Sequence, residues 1–257
     1  MSAAHPSRAL ALAFIAAVAS CKSSEAPKST TTSAPLQPPA QQSAALSAAP
    51  QTPTVHAHMA EHYAQADRMK RSVIRGDLAE YRQAASWLAE HELSGEAPDT
   101  WKKGASALQD ATRRGRDAQS LAAAAEALGS TGAACAACHT ELGKPQLALG
   151  EPPAEGSGAQ LHMARHQWAA DRLWDGLIVP SDAIWIKGAE LMADAPLEPA
   201  AVAAERSVQP NLQELASGVH DQANAARLLP ASERGAAYAK LVQSCSDCHA
   251  ALSLQLK

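Results

Sequence analysis

The chain has 257 residues, with 22 Lys and Arg against 26 Asp and Glu, and a formal net charge of −4 with histidine neutral. Its one basic cluster, Arg113-Arg114-Gly115-Arg116, is local, which excludes the broad basic surface that nucleic-acid binding needs. Phe occurs once and β-branched runs of period two are missing from an alanine-rich chain, so composition predicts an all-α fold.

At the N-terminus Arg8 precedes an apolar run from Ala9 to Ala19 that holds Leu10, Leu12, Phe14 and Ile15. The run is too short to cross a bilayer and has the shape of a secretory signal. It ends in Val18-Ala19-Ser20-Cys21, which resembles the bacterial lipoprotein cleavage box. That resemblance implies a signal peptide over 1–20 and Cys21 as the lipidated first residue of the exported chain. Several acyl chains hold a protein firmly on a membrane where a single chain is marginal. The expected location is therefore the periplasmic side of a bacterial membrane, and Lys22 in place of aspartate favours the outer one. An ordinary signal peptide with Cys21 left as a free thiol is the alternative. Residues 22–53 are rich in Ser, Thr, Ala, Gln and Pro. They bury too little to offset their ordering entropy, and with Cys21 they read as a disordered tether over 21–53.

The chain then repeats itself. His58 to Leu93 aligns without a gap onto His162 to Leu197, with identities at His58/His162, Met59/Met163, Ala60/Ala164, His62/His166, Ala66/Ala170, Asp67/Asp171, Arg68/Arg172 and Ile74/Ile178. Two domains follow, 54–145 and 158–257, joined by a Pro- and Gly-rich linker over 146–157. In the first, Val55, Met59, His62, Ala66, Met69 and Val73 form a helical core stripe; Ala159, Met163, His166, Ala170, Leu173 and Leu177 repeat it. Gly76-Asp77 and Pro180-Ser181-Asp182 break these helices and cap the next. Third helices are expected from Asp99 and Asn211, and fourth helices through Leu121 and Leu128 to Cys138 and through Ala236 and Leu241 to Cys248. Each domain therefore reads as a four-helix bundle.

Each fourth helix closes on the same pentapeptide. Cys135-Ala136-Ala137-Cys138-His139 and Cys245-Ser246-Asp247-Cys248-His249 use four of the five cysteines. Cys-x-x-Cys-His is the spacing of covalent c-type haem attachment. Cysteines three apart share a helix face, so both thiols can reach the two haem vinyls, and the adjacent histidine can reach the iron. A four-cysteine zinc site wants its two knuckles about 15–20 residues apart, and here about a hundred intervene. A redox Cys-x-x-Cys would follow a strand of a βαβ unit. Structural disulfides suit an exported chain but give no reason for a histidine after both pairs. The expected cofactors are thus two c-type haems, with His139 and His249 as proximal iron ligands.

This arrangement resembles the class II cytochromes c, the cytochrome c-prime group and its low-spin relatives. Those are four-helix bundles with Cys-x-x-Cys-His near the C-terminus, whereas class I members carry it near the N-terminus of the domain. The resemblance covers both repeats, rests on motif position and helix count, and extends to Met-Ala-x-His at Met59–His62 and Met163–His166. It implies two tandem four-helix-bundle cytochrome domains, each with haem on its last helix. It also implies that the first helix faces the distal side of the iron. His62 and His166 are the leading distal candidates there, and Met59 and Met163 the alternatives. A methionine in a core stripe is commonly packing alone, while a core histidine needs a partner for its ring. Methionine would raise the reduction potential relative to bis-histidine iron.

Asp67-Arg68 and Asp171-Arg172 point away from the stripe and read as ion pairs. Trp87, Trp101, Trp168, Trp174 and Trp185 read as packing. His56, His91 and His220 have no counterpart in the other repeat and read as surface residues. No general base, nucleophile or further metal site stands out, so the expected function is electron transfer between periplasmic or membrane redox proteins rather than enzymatic turnover. Gas binding or sensing at a five-coordinate haem is the alternative, and a dihaem peroxidase a third reading that two similar repeats disfavour.

Overall fold

A computed structural model describes residues 55–91, 99–143, 145, 147–156, 158–194 and 212–252. The signal over 1–20, Cys21 and the tether lie outside these residues, as does the expected helix start at Asn211. Among the described residues there are eight α-helices and no strand, so the all-α expectation is borne out. They are α1 (Val55–Arg75), α2 (Leu78–Glu90), α3 (Asp99–Arg116), α4 (Leu121–Leu142), α5 (Ala159–Ile178), α6 (Asp182–Asp194), α7 (Leu212–Ala226) and α8 (Ala231–Ala251).

The breaks fall where the turn chemistry puts them. Gly76 adopts φ +78°, which an L side chain resists and glycine accepts. The Asp77 amide donates to Ser72 O and the Gly76 amide to Val73 O, the paired bonds of a Schellman ending. Asp77 then caps α2, its carboxylate accepting from the Glu80 amide at 2.9 Å. Ser120 caps α4 in the same way through the Ala123 amide.

Short connections reverse the chain between α1 and α2, α3 and α4, α5 and α6, and α7 and α8. In the second repeat, His220 Nδ1 donates to Met192 O at 2.8 Å and Trp185 Nε1 to Ala226 O at 2.9 Å, so α6 and α7 are also antiparallel. In each repeat the first and last helices touch, closing a ring of neighbours: α1–α2–α3–α4 and α5–α6–α7–α8. The stripes are buried from their fourth members on. Ala66, Met69 and Val73, with Ala170, Leu173 and Leu177, enter one core shared by both repeats. The stripe's first residue, Val55, is exposed instead. Trp174 and Trp185 are fully buried in that core, as packing residues should be.

All described residues belong to one compact unit, because the repeats meet through their last helices. α4 packs on α8, α1 on α8, and α4 on α5. The α4–α8 crossing is made by glycines: a Cβ at Gly129 would stand 2.2 Å from Gly235 O, and one at Gly235 would stand 2.8 Å from Gly129 O. α4 is apolar enough over Leu121–Glu141 to cross a membrane by length and composition, yet it packs against α1, α3, α5 and α8. Charged groups add a second tie. Lys70 is buried and bonds Asp67 on its own helix and Asp171 across the repeats, and Tyr63 donates to Asp175 at 3.2 Å. Asp67, Asp171 and their neighbours Arg68 and Arg172 are thus ion-pair residues, as their position off the stripe implies.

Gly129→Ala should lower the unfolding free energy by about 1–3 kcal/mol, since the methyl meets backbone that cannot yield. Gly218→Ala, where a Cβ meets nothing within 4 Å, should instead be neutral or gain about 0.5–1 kcal/mol in its helix interior. Urea unfolding followed by circular dichroism compares the two; equal effects would remove the close crossing as a determinant of stability.

Candidate functional site

The two Cys-x-x-Cys-His motifs lie on the final turns of α4 and α8, because both helices run unbroken through them. All four cysteines are free thiols, half-buried against neighbouring helices. Burial pushes the Cys135 and Cys245 thiols up to about 12, with Cys138 and Cys248 respectively adding repulsion. Cys138 is raised by burial and then by Glu141, and Cys248 by burial alone. Cys138 faces α3, where a Cβ at Gly104 would stand 3.1 Å from its Sγ.

Each motif histidine turns the same nitrogen to a backbone carbonyl. His139 Nδ1 donates to Ile178 O at 2.6 Å, and His249 Nδ1 to Ile74 O at 2.9 Å. Those carbonyls sit at the C-terminal ends of α5 and α1, where the last four carbonyls of a helix lack intrahelical partners. Ile74 and Ile178 are themselves a repeat-related pair, so the two contacts are equivalent and both cross between repeats. A carbonyl only accepts, so Nδ1 carries the proton, and in the neutral ring Nε2 keeps the lone pair. That tautomer is the one a metal-ligating histidine uses when a second partner orients its ring.

The distal candidates lie near the N-terminal ends of α1 and α5. His62, His166, Met59 and Met163 are all half-buried. The alternation of helix directions runs α8 antiparallel to α5, and the Tyr238 hydroxyl donates to Ala170 O at 3.2 Å. Counting seven residues on along α8 and seven back along α5 from that bond brings Cys245 level with Met163. The cross-repeat bonds Tyr63–Asp175 and Lys70–Asp171 set α1 antiparallel to α5. Extending that register puts Ile178, the partner of His139, level with His62, and Ile74, the partner of His249, level with His166. Each motif histidine therefore shares a level with the distal candidates of its own repeat.

His91 and His220 are not the plain surface residues that their lack of counterparts suggests. His91 caps α2 and stacks on Trp87 with ring centroids 4.0 Å apart. Its ring lies 5.0 Å from His58 and 5.4 Å from His62. His220 lies 5.8 Å from His162 and 5.1 Å from His166. Two triads result, His58–His62–His91 and His162–His166–His220, each offering nitrogens within 4.8 Å of one another. Three of the six rings are pushed below the ordinary imidazole value. His62 is pushed down to about 4 by burial, then by His58 and His91, and His162 to about 4 by burial, then by His220 and Arg165. His58 is lowered by burial and His91 against the pull of Glu61. The sequence did carry a signal for the third members: beyond the repeated pairs and the motifs, each repeat keeps a single histidine downstream of its first helix.

Comparison with protein-family models, with curated proteins and with solved structures finds no match.

In folded, haem-free protein at pH 8, a thiol near 12 is thiolate to only about one part in ten thousand. Iodoacetamide should then modify Cys138 and Cys248 at least about tenfold faster than Cys135 and Cys245. Peptide mass spectrometry over time reads the order, and equal rates would mean that helix packing does not distinguish the two positions. Raising the pH by one unit should speed the slow pair about tenfold, because their thiolate fraction grows in proportion to hydroxide below the pKa.

Proposed function

We propose that this chain is an electron-transfer protein of two tandem four-helix-bundle haem domains, each carrying one c-type haem. The observation that carries the reading is the repeated motif on equivalent last helices, with both histidines presenting Nε2 while Nδ1–H is held by a carbonyl. The fit of the donor set supports it further. Two thiols one helical turn apart sit beside that imidazole, and burial raises both above the ordinary thiol value.

In this reading Cys135 and Cys138 hold one haem, Cys245 and Cys248 the other, and His139 and His249 are the proximal ligands. Bound haem supplies reversible one-electron chemistry at iron. The chain's own contribution is to fix each proximal ring, to exclude water with apolar helix faces and to offer a sixth ligand from the first helix. This reading assigns that last task to His62 and His166, or to Met59 and Met163. The resemblance of Val18–Cys21 to a lipoprotein box extends the proposal to a chain lipidated at Cys21 and tethered on the periplasmic side of a bacterial membrane. A tether raises the local concentration of the haems near membrane redox partners.

The test is maturation in a bacterial host that attaches c-type haem, followed by pyridine haemochrome assay. Two haems per chain are expected, one in Cys135→Ala/Cys138→Ala and one in Cys245→Ala/Cys248→Ala. A chain that emerges with four free thiols and no covalent haem sinks the reading. Carbon monoxide then separates the functions: an unchanged low-spin spectrum is expected for electron transfer, whereas a gas-induced shift moves the assignment to gas binding or catalysis.

A further inference from the structure

We propose that each repeat carries, apart from its Cys-x-x-Cys-His motif, a three-imidazole site for a divalent transition-metal ion of the zinc or copper class. The ligands are His58, His62 and His91 in the first repeat and His162, His166 and His220 in the second. In both triads one nitrogen from each ring lies within 4.8 Å of the others. A tetrahedral zinc ion with Zn–N of about 2.0–2.1 Å wants its ligand nitrogens about 3.4 Å apart. From the 4.8 Å limit the shortfall is at most about 1.4 Å, a distance on the scale of side-chain rotation.

The chemistry around the rings fits an ion better than it fits packing. The Nε2 atoms of His58, His62, His162 and His220 are buried with no hydrogen-bond partner, and a buried polar atom left so is costly. A metal ion is the ligand that several converging lone pairs satisfy at once. The ring of His220 is already oriented for the task, since its Nδ1 donates to Met192 O and so leaves Nε2 as the lone-pair nitrogen. His91 is held by its stack on Trp87, which also meets His62 edge-on at 5.9 Å. Neutral nitrogen ligands select zinc, copper or nickel over magnesium and calcium. Three protein ligands leave a fourth position open.

Repetition by different routes is the second argument. His58 and His62 recur as His162 and His166 by descent of the repeat, i and i+4 on one helix face. The third histidine does not recur in sequence. His91 comes from the end of α2, while His220 comes from the middle of α7. Yet His220 bonds Met192, the repeat counterpart of Leu88, one turn short of where His91 stands. Two unrelated positions thus deliver an imidazole to the same place. In the second repeat a groove of about 560 Å³ between α6 and α7 is lined by His220 with Glu190, Asp194 and Asp221, so one residue of the triad borders open space.

One consequence concerns the iron. An imidazole Nε2 has one lone pair, so His62 and His166 cannot hold the triad ion and the haem iron together. The sixth ligand then falls to Met59 and Met163. The triads themselves do not depend on the haem reading.

The test uses the full-length protein matured with its haems, stripped with a chelator and dialysed against zinc chloride, with bound zinc counted by elemental analysis. Two zinc ions per chain are expected, one in His91→Ala, one in His220→Ala and none in the double variant, with two haems per chain in all four. His91→Gln and His220→Gln, which keep bulk and polarity, should lose zinc equally, and far-ultraviolet circular dichroism checks that each variant folds. X-ray absorption at the zinc edge should show three imidazole nitrogens. The proposal is overturned if the folded protein retains no zinc or if the double variant binds as much as the parent. A chain that takes no haem but binds two zinc ions lost in the double variant would sink the haem reading and leave the triads standing.

Discussion

The close approach of α4 and α8 at Gly129 and Gly235 is the constraint on which the rest of the structure depends. Two helices normally pack with axes about 8–10 Å apart, a spacing that side chains set. Here each glycine meets the other's backbone, and a single methyl on either would collide with a carbonyl. The two motif-bearing helices therefore form one spine, and each repeat must wrap its remaining helices around its own half. That is why α1 reaches α8, and α4 reaches α5, across the repeat boundary. It is also why one apolar core runs through both repeats.

The crossing has a chemical consequence at its far ends. With α4 and α8 locked at Gly129 and Gly235, their final turns diverge onto the C-terminal ends of α5 and α1. Those ends expose carbonyls that need donors, and the motif histidines supply them. Each repeat thus finishes a helix of the other. Lys70, buried between Asp67 and Asp171, fixes the same relation by charge. A buried cation with two carboxylates is satisfied only in the assembled pair, and removing one partner would strand the rest. The repeats are consequently interdependent in a way that a linker rich in proline and glycine does not announce.

Much of this was legible in the chain. Helical periodicity, Gly76-Asp77 as a break and cap, and the two pentapeptides all follow from local rules, and the helices fall where those rules put them. The stripes were readable too, because a residue such as Met69 or Leu173 shows its burial by spacing alone. What the sequence withheld was everything that needs two distant segments. Gly129 and Gly235 look like ordinary helix weaknesses until they are opposed. Asp171 reads as an ion-pair residue, but its partner Lys70 comes from a hundred residues away. His91 and His220 looked like strays because they were compared with each other's repeat position. Their equivalence is spatial, created by the antiparallel register of α6 and α7, and alignment cannot see it.

On the proposed reading, mutual capping also bears on how the two haem centres would be tuned. A proximal imidazole becomes a stronger donor as its Nδ1–H bond to a second partner strengthens, and that hydrogen bond is one of the levers on an iron potential. In this fold the partner of His139 is Ile178 and the partner of His249 is Ile74, so each lever is held by the opposite repeat. Anything that shifts the end of α5 acts on the first motif, and anything that shifts the end of α1 acts on the second. The two bonds, at 2.6 Å and 2.9 Å, make the repeats alike in plan. On the proposed reading the duplication does more than double the number of haems: it makes each site part of the other's environment, and the shared spine keeps that coupling rigid.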